Sequence, residues 1–464
     1  MITRNLFFQP AFQHPNGFEA DEYVQHLEMD QRINYNETSL NEGSNLIRKL
    51  VISGSGLMGC SIAASFLASD IPVWIYDISE ESLRSLAGRL AKELSLQEYM
   101  SCVDIQSKID KLLTISNSPE SLQNSSVVIE TIPEKLRIKQ KHYRFLDSFC
   151  SNNALLLTNT STIEINQLAS TLKECQHFNA EHFCGFHFFH PVRKRSLVEI
   201  IRGVQTSSQT ITEAVWLSHQ IHKTPIIVQD GPGFLVNRLL HSWLTESLTL
   251  LMEGVPMSKI ESVCQRFGME MGPFRIMDEI GLDVVLHGGW TLYKAFPGSV
   301  DPRSSELLAS MIQDGRLGRK SGHGFYRYQT VETQWLDSPL NDPDFEKLLE
   351  NERSNKNLFR ESELSEEMLI GRIILRILAE AFSIKNDEIV ASFEDIDRAL
   401  ILGLGFPKNK GGLCFWIDSL SFDFREELKK IASKVKFSVD ILQNWLTDRS
   451  KQLLVSQIIC QKRP

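Results

Sequence analysis

The segment Leu50-Val-Ile-Ser-Gly54-Ser-Gly56-Leu-Met-Gly59-Cys-Ser-Ile-Ala-Ala-Ser-Phe constrains this chain more than any other. A short apolar strand pattern runs into GxGxxG and then into a helix pattern. The first glycine permits a tight turn, the second lets backbone approach a pyrophosphate, and the third lets helix and strand pack closely. The helix N-terminus adds free N–H groups and partial positive charge. GxGxxG alone recurs widely, but here the next strand pattern, Val73-Trp-Ile-Tyr-Asp77, ends in an acid 18 residues past Gly59. A carboxylate at that spacing can bind ribose hydroxyls. No arginine directly follows Asp77 to meet a 2′-phosphate, and the carboxylate would repel one, so NAD is expected over NADP. The alternative is a glycine turn in an unrelated α/β protein, with Asp77 only capping a helix.

Strand-length apolar runs recur at 50–53, 73–76, 127–130, 155–158, 183–188 and 226–228, separated by segments of helical spacing. That alternation predicts a mostly parallel sheet covered by helices. The fold class expected is α/β plus all-α: a Rossmann-type doubly wound parallel sheet followed by two related helical domains. Residues 1–45 are polar and irregular and are taken as an N-terminal extension outside the first core. The nucleotide-binding domain then runs over 46–230, up to Asp230-Gly-Pro-Gly233. A first helical domain follows over 231–329, a polar acidic linker over 330–366, and a second helical repeat over 367–464. The repeat rests on paired spacings. Asn237-Arg238 is followed by Glu246 as Gly371-Arg372 is by Glu380, and Gly272 leads to Asp278 as Gly412 leads to Asp418.

The length of 464 residues supplies several cores, and 23% charged residues with 42% hydrophobic ones describe an ordinary globular chain. A net charge of −9 excludes a global basic field for nucleic acid or anionic membrane. The eight cysteines form no CxxC pair, so reduced core thiols are expected rather than a disulfide framework. No run of about 18 apolar residues predicts a membrane span. The N-terminus lacks the marks of a cleaved signal, and cytoplasmic location is expected.

Three further segments bear on chemistry. In Gly185-Phe-His187-Phe-Phe-His190-Pro, an imidazole among aromatics can be tuned for proton transfer, and Glu199, arriving on a following strand, can orient its charged form. A hydrogen-bonded core histidine is the plainer alternative. The spacing of His182, His187 and His190 matches no common zinc pattern, and no metal site is expected. Ser161 and Glu164 fit an S-x-x-E capping box, in a position after a sheet strand where ligands usually bind. Gly315–Gly324 carries Gly-Arg-Lys-Ser without the P-loop spacing and is expected to be a structural turn.

Taken together, these segments resemble the 3-hydroxyacyl-CoA dehydrogenase family, specifically the dehydrogenase portion of multifunctional fatty-acid β-oxidation enzymes, over residues 48–460. The resemblance is carried by Gly54–Gly59, Glu134-Lys-Leu-Arg-Ile-Lys139, Asn159-Thr-Ser161, His187-Phe-Phe, Leu197-Val-Glu199, Gly231-Pro-Gly-Phe-Leu-Val-Asn237-Arg and Gly315-Arg-Leu-Gly-Arg-Lys. It implies NAD-dependent interconversion of (3S)-3-hydroxyacyl-CoA and 3-oxoacyl-CoA. In that scheme His187 is the catalytic base, Glu199 its paired carboxylate, and Ser161 and Asn237 position substrate oxygens. Gly54, Gly56, Leu57, Met58, Gly59, Asp77, Glu134, Lys139 and Asn159 would contact NAD. The chain departs from the family at His190, where Asn is usual, at the missing hydratase domain, and at Gly371, where the first repeat has Asn237. The resemblance makes the second repeat a stand-in for a partner subunit, giving a monomer or a non-classical dimer, with a separate hydratase or thiolase as the partner to look for. A dehydrogenase of a non-CoA 3-hydroxy acid, or a catalytically silent NAD-binding scaffold, are the alternatives.

Overall fold

A computed structural model describes residues 6–8, 19–33, 47–96, 100–152, 154–297, 301–331, 334–335, 339–355, 364–420 and 422–434. The chain divides into two compact units, one formed by residues 25–235 and the other by 1–24 with 236–464.

The first unit is an eight-stranded sheet: β1 (Leu50–Ser53), β2 (Val73–Tyr76), β3 (Leu113–Ser116), β4 (Val127–Glu130), β5 (Leu155–Thr158), β6 (Phe183–Phe188), β7 (Leu197–Arg202) and β8 (Thr224–Gln229). Their order is β3-β2-β1-β4-β5-β6-β7-β8, parallel throughout except for β6 against β7. Leu50 of β1 pairs with Val73 on one side and Val127 on the other, so the strand order reverses at β1 and β4. That switch point is where open α/β sheets bind ligands. β1, β4 and β5 are buried at every position, which explains their unbroken apolar runs. β3, Leu-Thr-Ile-Ser, escaped the sequence reading because it is an edge strand with exposed or half-buried residues.

The helix after β5 corrects an expectation. It starts at Ile165, with Glu164 as a cap residue that makes no side-chain cap bond, so Ser161 and Glu164 form no capping box. The free amides of Ile165 and Asn166 donate to the two carboxylate oxygens of Asp230, at 2.8 and 2.7 Å. A charged acceptor from beyond β8 satisfies this helix end.

In the second unit the helices Val236–Met252 and Glu366–Asn386 exchange reciprocal ion pairs. Arg238 reaches Glu380 at 2.6 Å and Arg372 reaches Glu246 at 2.6 Å. The same symmetry recurs nearby. Glu261 accepts from the amides of Phe274 and Arg275, and Asp397 accepts from those of Cys414 and Phe415. Gly272 and Gly412 are required there, because a Cβ at either would lie 2.0 or 2.4 Å from the acid it faces.

Two stretches expected to be irregular are folded. Within the 330–366 linker, Pro343–Asn355 is a helix that buries Phe345 and Leu349, with Phe345 stacked edgewise on Phe325 at 5.2 Å. Within the N-terminal extension, Leu6–Phe8 forms a 3-10 turn and Ala20–Ile33 a helix. Phe7 is fully buried 5.7 Å from Trp416, the buried Lys410 ammonium donates to its carbonyl at 3.0 Å, and Tyr23 stacks on Phe415 at 4.3 Å. Sparse apolar residues in a polar stretch hid both elements, since their partners lie far along the chain.

Among the described residues no helix is long and apolar enough to cross a membrane, and no group of three His, Cys, Asp or Glu could hold a metal. The seven described cysteines are free, and all but Cys102 are at least partly buried.

Candidate active site

The glycine turn after β1 has the shape a dinucleotide needs. Gly54 sits at φ +113°, a conformation few L-residues adopt, and a Cβ at Gly59 would lie 1.9 Å from the Gly54 carbonyl. A Cβ at Gly56 would meet nothing, and Gly56 caps the helix Leu57–Ala68 without a side-chain bond. Open space therefore stands beside uncapped helix amides, the arrangement that receives a pyrophosphate. Leu57 is exposed and Met58 half-buried beside this space.

Asp77 follows β2, and its carboxylate also organises the loop. Oδ2 accepts from the Ser55 amide and hydroxyl, both at 2.7 Å, and Oδ1 accepts from Ser79 N at 2.9 Å. Burial pushes this carboxyl up, but the bonds from Ser55 and Ser79 outweigh it and hold the group below its ordinary value. It is an anion at neutral pH, half-buried and suited to accept from ribose hydroxyls.

The antiparallel step from β6 to β7 puts His187 directly opposite Glu199. The His187 Nδ1 to Glu199 Oε2 distance is 2.6 Å, His187 is 4% exposed and Glu199 is fully buried. The second carboxylate oxygen of Glu199 accepts from Leu235 N at 3.2 Å. Phe189 meets the imidazole edgewise at 4.7 Å, and the Phe234 ring lies tilted to it at 6.0 Å. With Nδ1–H given to the carboxylate, the lone pair of a neutral imidazole falls on Nε2, leaving that atom able to accept a proton.

The turn after β5 is bound to the same strand. Asn159 Oδ1 accepts from Phe188 N at 2.9 Å, which leaves its amide NH₂ to act as a donor. Glu134 accepts from the amides of Ser161 and Thr162 at 2.8 and 2.9 Å and from Thr160 Oγ1 at 2.6 Å. Burial raises the Glu134 carboxyl, yet Lys139 and these donors together hold it below its ordinary value. Lys139 is 1% exposed, with Nζ 2.6 Å from Glu130 and 3.3 Å from Glu134. Glu130 also accepts from Tyr143 and Thr158. In this arrangement Glu134 shapes the Ser161 turn, and Lys139 is the buried counter-charge beneath it. The sequence reading missed Glu130, Leu235 and Asp230, whose parts depend on tertiary approach and carry no local spacing signal.

Asn237 lies on the helix Val236–Met252 of the other unit. His190 is exposed. In the 315–324 segment, Arg316 is buried against Asp314 and Asp342, Arg319 pairs with Glu279 and Lys320 with Asp283, so these cations serve a structural turn.

The sequence matches the family description "3-hydroxyacyl-CoA dehydrogenase, NAD binding domain" over residues 49–231 and "3-hydroxyacyl-CoA dehydrogenase, C-terminal domain" over 233–328. The chain belongs to the 3-hydroxyacyl-CoA dehydrogenase family. NAD is the cofactor of its sheet domain, and the glycine turn and Asp77 described above fit it. A curated relative, the fatty acid oxidation complex subunit alpha of Psychrobacter sp. (strain PRwf-1), is 30% identical over 380 residues, 81% of this chain and 51% of that protein. The chain thus spans about half the length of that relative. Among solved structures, the (S)-3-hydroxybutyryl-CoA dehydrogenase of Ralstonia eutropha is 33% identical with a TM-score of 0.56, over 61% of this chain and 100% of that one. The 3-hydroxybutyryl-CoA dehydrogenase of Escherichia coli K12 substr. MG1655 shares the fold at a TM-score of 0.69 and 22% identity, over 87% of this chain and 99% of that one. The dehydrogenase part of multifunctional enzyme 1 of C. elegans does so at 0.61 and 24%, over 95% and 99%.

Proposed function

We propose that the chain interconverts (3S)-3-hydroxyacyl-CoA and 3-oxoacyl-CoA. The observation that carries this reading is the buried His187–Glu199 pair at 2.6 Å, set on neighbouring strands of an NAD-binding sheet. NAD, when bound, supplies the acceptor for the hydride that leaves C3 of the substrate. His187 Nε2 takes the proton of the 3-hydroxyl as the C3 carbonyl forms, and returns it in the reverse direction. Glu199 holds the imidazole in the tautomer that exposes the Nε2 lone pair and stabilises the imidazolium once formed, as an orienting carboxylate does in other acid–base sites. Ser161 donates to a substrate oxygen, fixing the reacting carbon, and the family resemblance offers Asn237 as a further donor. Asn159, its oxygen already bonded to Phe188 N, offers its NH₂ to the nicotinamide end of the cofactor. Asp77 holds the adenosine ribose, and Glu134 with Lys139 keeps the Ser161 turn in place.

The test is NADH consumption by the purified chain with acetoacetyl-CoA beside free acetoacetate. Turnover confined to the thioester is expected. Turnover of the free acid alone overturns the acyl-CoA reading.

A further inference from the structure

Five non-glycine residues among those described have positive φ: Asp70, Asn124, His222, Phe234 and Glu388. Four are exposed polar residues in turns; Phe234, at φ +50°, is fully buried. A bulky aromatic residue in the left-handed region is an outlier, and such strain persists only where the surroundings hold it. It follows Gly233, itself at φ +73°, and the amide of Phe234 is tied to the Gly231 carbonyl at 3.1 Å. The two consecutive left-handed residues turn the chain so that the next amide, Leu235 N–H, reaches Glu199 Oε1. The Phe234 ring meanwhile stands 6.0 Å from the imidazole of His187.

We infer that Phe234 is a positioning residue for the reaction. Its left-handed backbone aims the Leu235 amide at one oxygen of Glu199, which leaves the other to face His187 Nδ1. This rests on the reading of His187 and Glu199 as the catalytic pair. The physical need is clear. A carboxylate that can rotate about its last torsion offers Nδ1 a blurred acceptor, whereas one pinned at Oε1 presents Oε2 in a single direction. Proton transfer at Nε2 depends on the ring orientation that this bond sets. A glycine at 234 would adopt the φ at no steric cost but would leave the ring pocket empty. The buried aromatic therefore serves both contacts, wall and hinge.

The test separates the backbone from the ring. Phe234→Gly and Phe234→Ala both remove the ring and differ in how readily they accept positive φ, where a Cβ costs about five- to thirtyfold in population. The positioning role predicts that Phe234→Gly keeps a kcat about tenfold above that of Phe234→Ala with acetoacetyl-CoA, at equal affinity for NADH. It also predicts that the pH profile of kcat/KM departs from wild type more in Phe234→Ala than in Phe234→Gly. Should the cavity unfold both variants, Phe234→Asn against Phe234→Leu repeats the comparison at similar side-chain size, with the Asn variant expected to be faster. Equal kcat within each pair, or a faster Ala or Leu variant, overturns the inference and leaves a packing role only. Wild type and His187→Gln run alongside separate the two levels: a wild type without turnover overturns the assignment of the pair and this inference with it. An active wild type with an inactive His187→Gln leaves the pair standing whichever way the Phe234 variants fall.

Discussion

Glu199→Gln probes the pair without changing its shape. The carboxylate accepts from His187 Nδ1 on Oε2 and from Leu235 N on Oε1. Glutamine has one acceptor oxygen, so either the imidazole or the amide then faces an NH₂ group, leaving a buried donor unpaired at a cost of about 1–3 kcal/mol. The larger effect is electrostatic. With charge centres about 4 Å apart and an effective dielectric near 20, an imidazolium and a carboxylate attract by about 4 kcal/mol. That stabilisation is felt only when the imidazole carries the proton, so at about 1.4 kcal/mol per factor of ten its loss slows turnover by about a thousandfold. The assay is kcat for oxidation of (3S)-3-hydroxybutyryl-CoA by NAD, the direction in which His187 gains the proton, read beside NADH affinity by fluorescence titration, which is expected to stay within about threefold of wild type because Asp77 and the glycine turn are untouched. A loss of less than tenfold in kcat would refute the claim that Glu199 stabilises a proton on His187.

Other consequences follow from the same structure. Asp77→Ala removes the acceptor for ribose hydroxyls and the bonds from Ser55 and Ser79; it should weaken NADH by about ten- to a hundredfold and lower the preference over NADPH, measured by titration with both. Phe7→Ala should cost about 3–5 kcal/mol of unfolding free energy, because Phe7 is fully buried against Trp416; denaturation followed by tryptophan fluorescence reads it, and a loss under 1 kcal/mol contradicts the packing described. Burial pushes the Lys223 ammonium down from 10.5 to about 8, while it donates to the carbonyl oxygens of Val192 and Arg195. Between those pH values the unfolded chain binds the proton that the folded chain has lost, so this lysine's contribution to stability rises with pH from about 8 to 10.5, as does that of Lys410, while the desolvated thiols of Cys60, Cys150 and Cys175, raised from 9.0 to about 11, oppose it. Lys223→Met should therefore give a less positive slope of stability against pH than wild type across that window; equal slopes in chemical denaturation would contradict the assignment.

Much of the architecture could be read from residue order because the central strands are buried on both faces and write themselves as apolar runs. The glycine turn and Asp77 were readable for a related reason: only certain residues tolerate φ +113° at Gly54 or the contact between Gly59 and Gly54. His187 and Glu199 were readable as types, although the strand pairing that sets them face to face is a tertiary fact. What escaped notice depends on long-range approach. Asp230 caps a helix 65 residues earlier in the chain, Phe7 lies against Trp416, and a single backbone dihedral at Phe234 aims the amide that pins Glu199. The capping-box reading of Ser161 and Glu164 failed for the same reason, since the local pattern competed with a distant carboxylate and lost. The linker reading failed where polar composition concealed two buried residues, Phe345 and Leu349.

The most direct test of the account is steady-state reduction of acetoacetyl-CoA by NADH with wild type and His187→Gln side by side, with NADH binding measured on both. Proton transfer by His187 predicts turnover in wild type, its loss by at least about a hundredfold in the variant, and equal NADH affinity. Turnover that survives the substitution would contradict the assignment of His187 as the base.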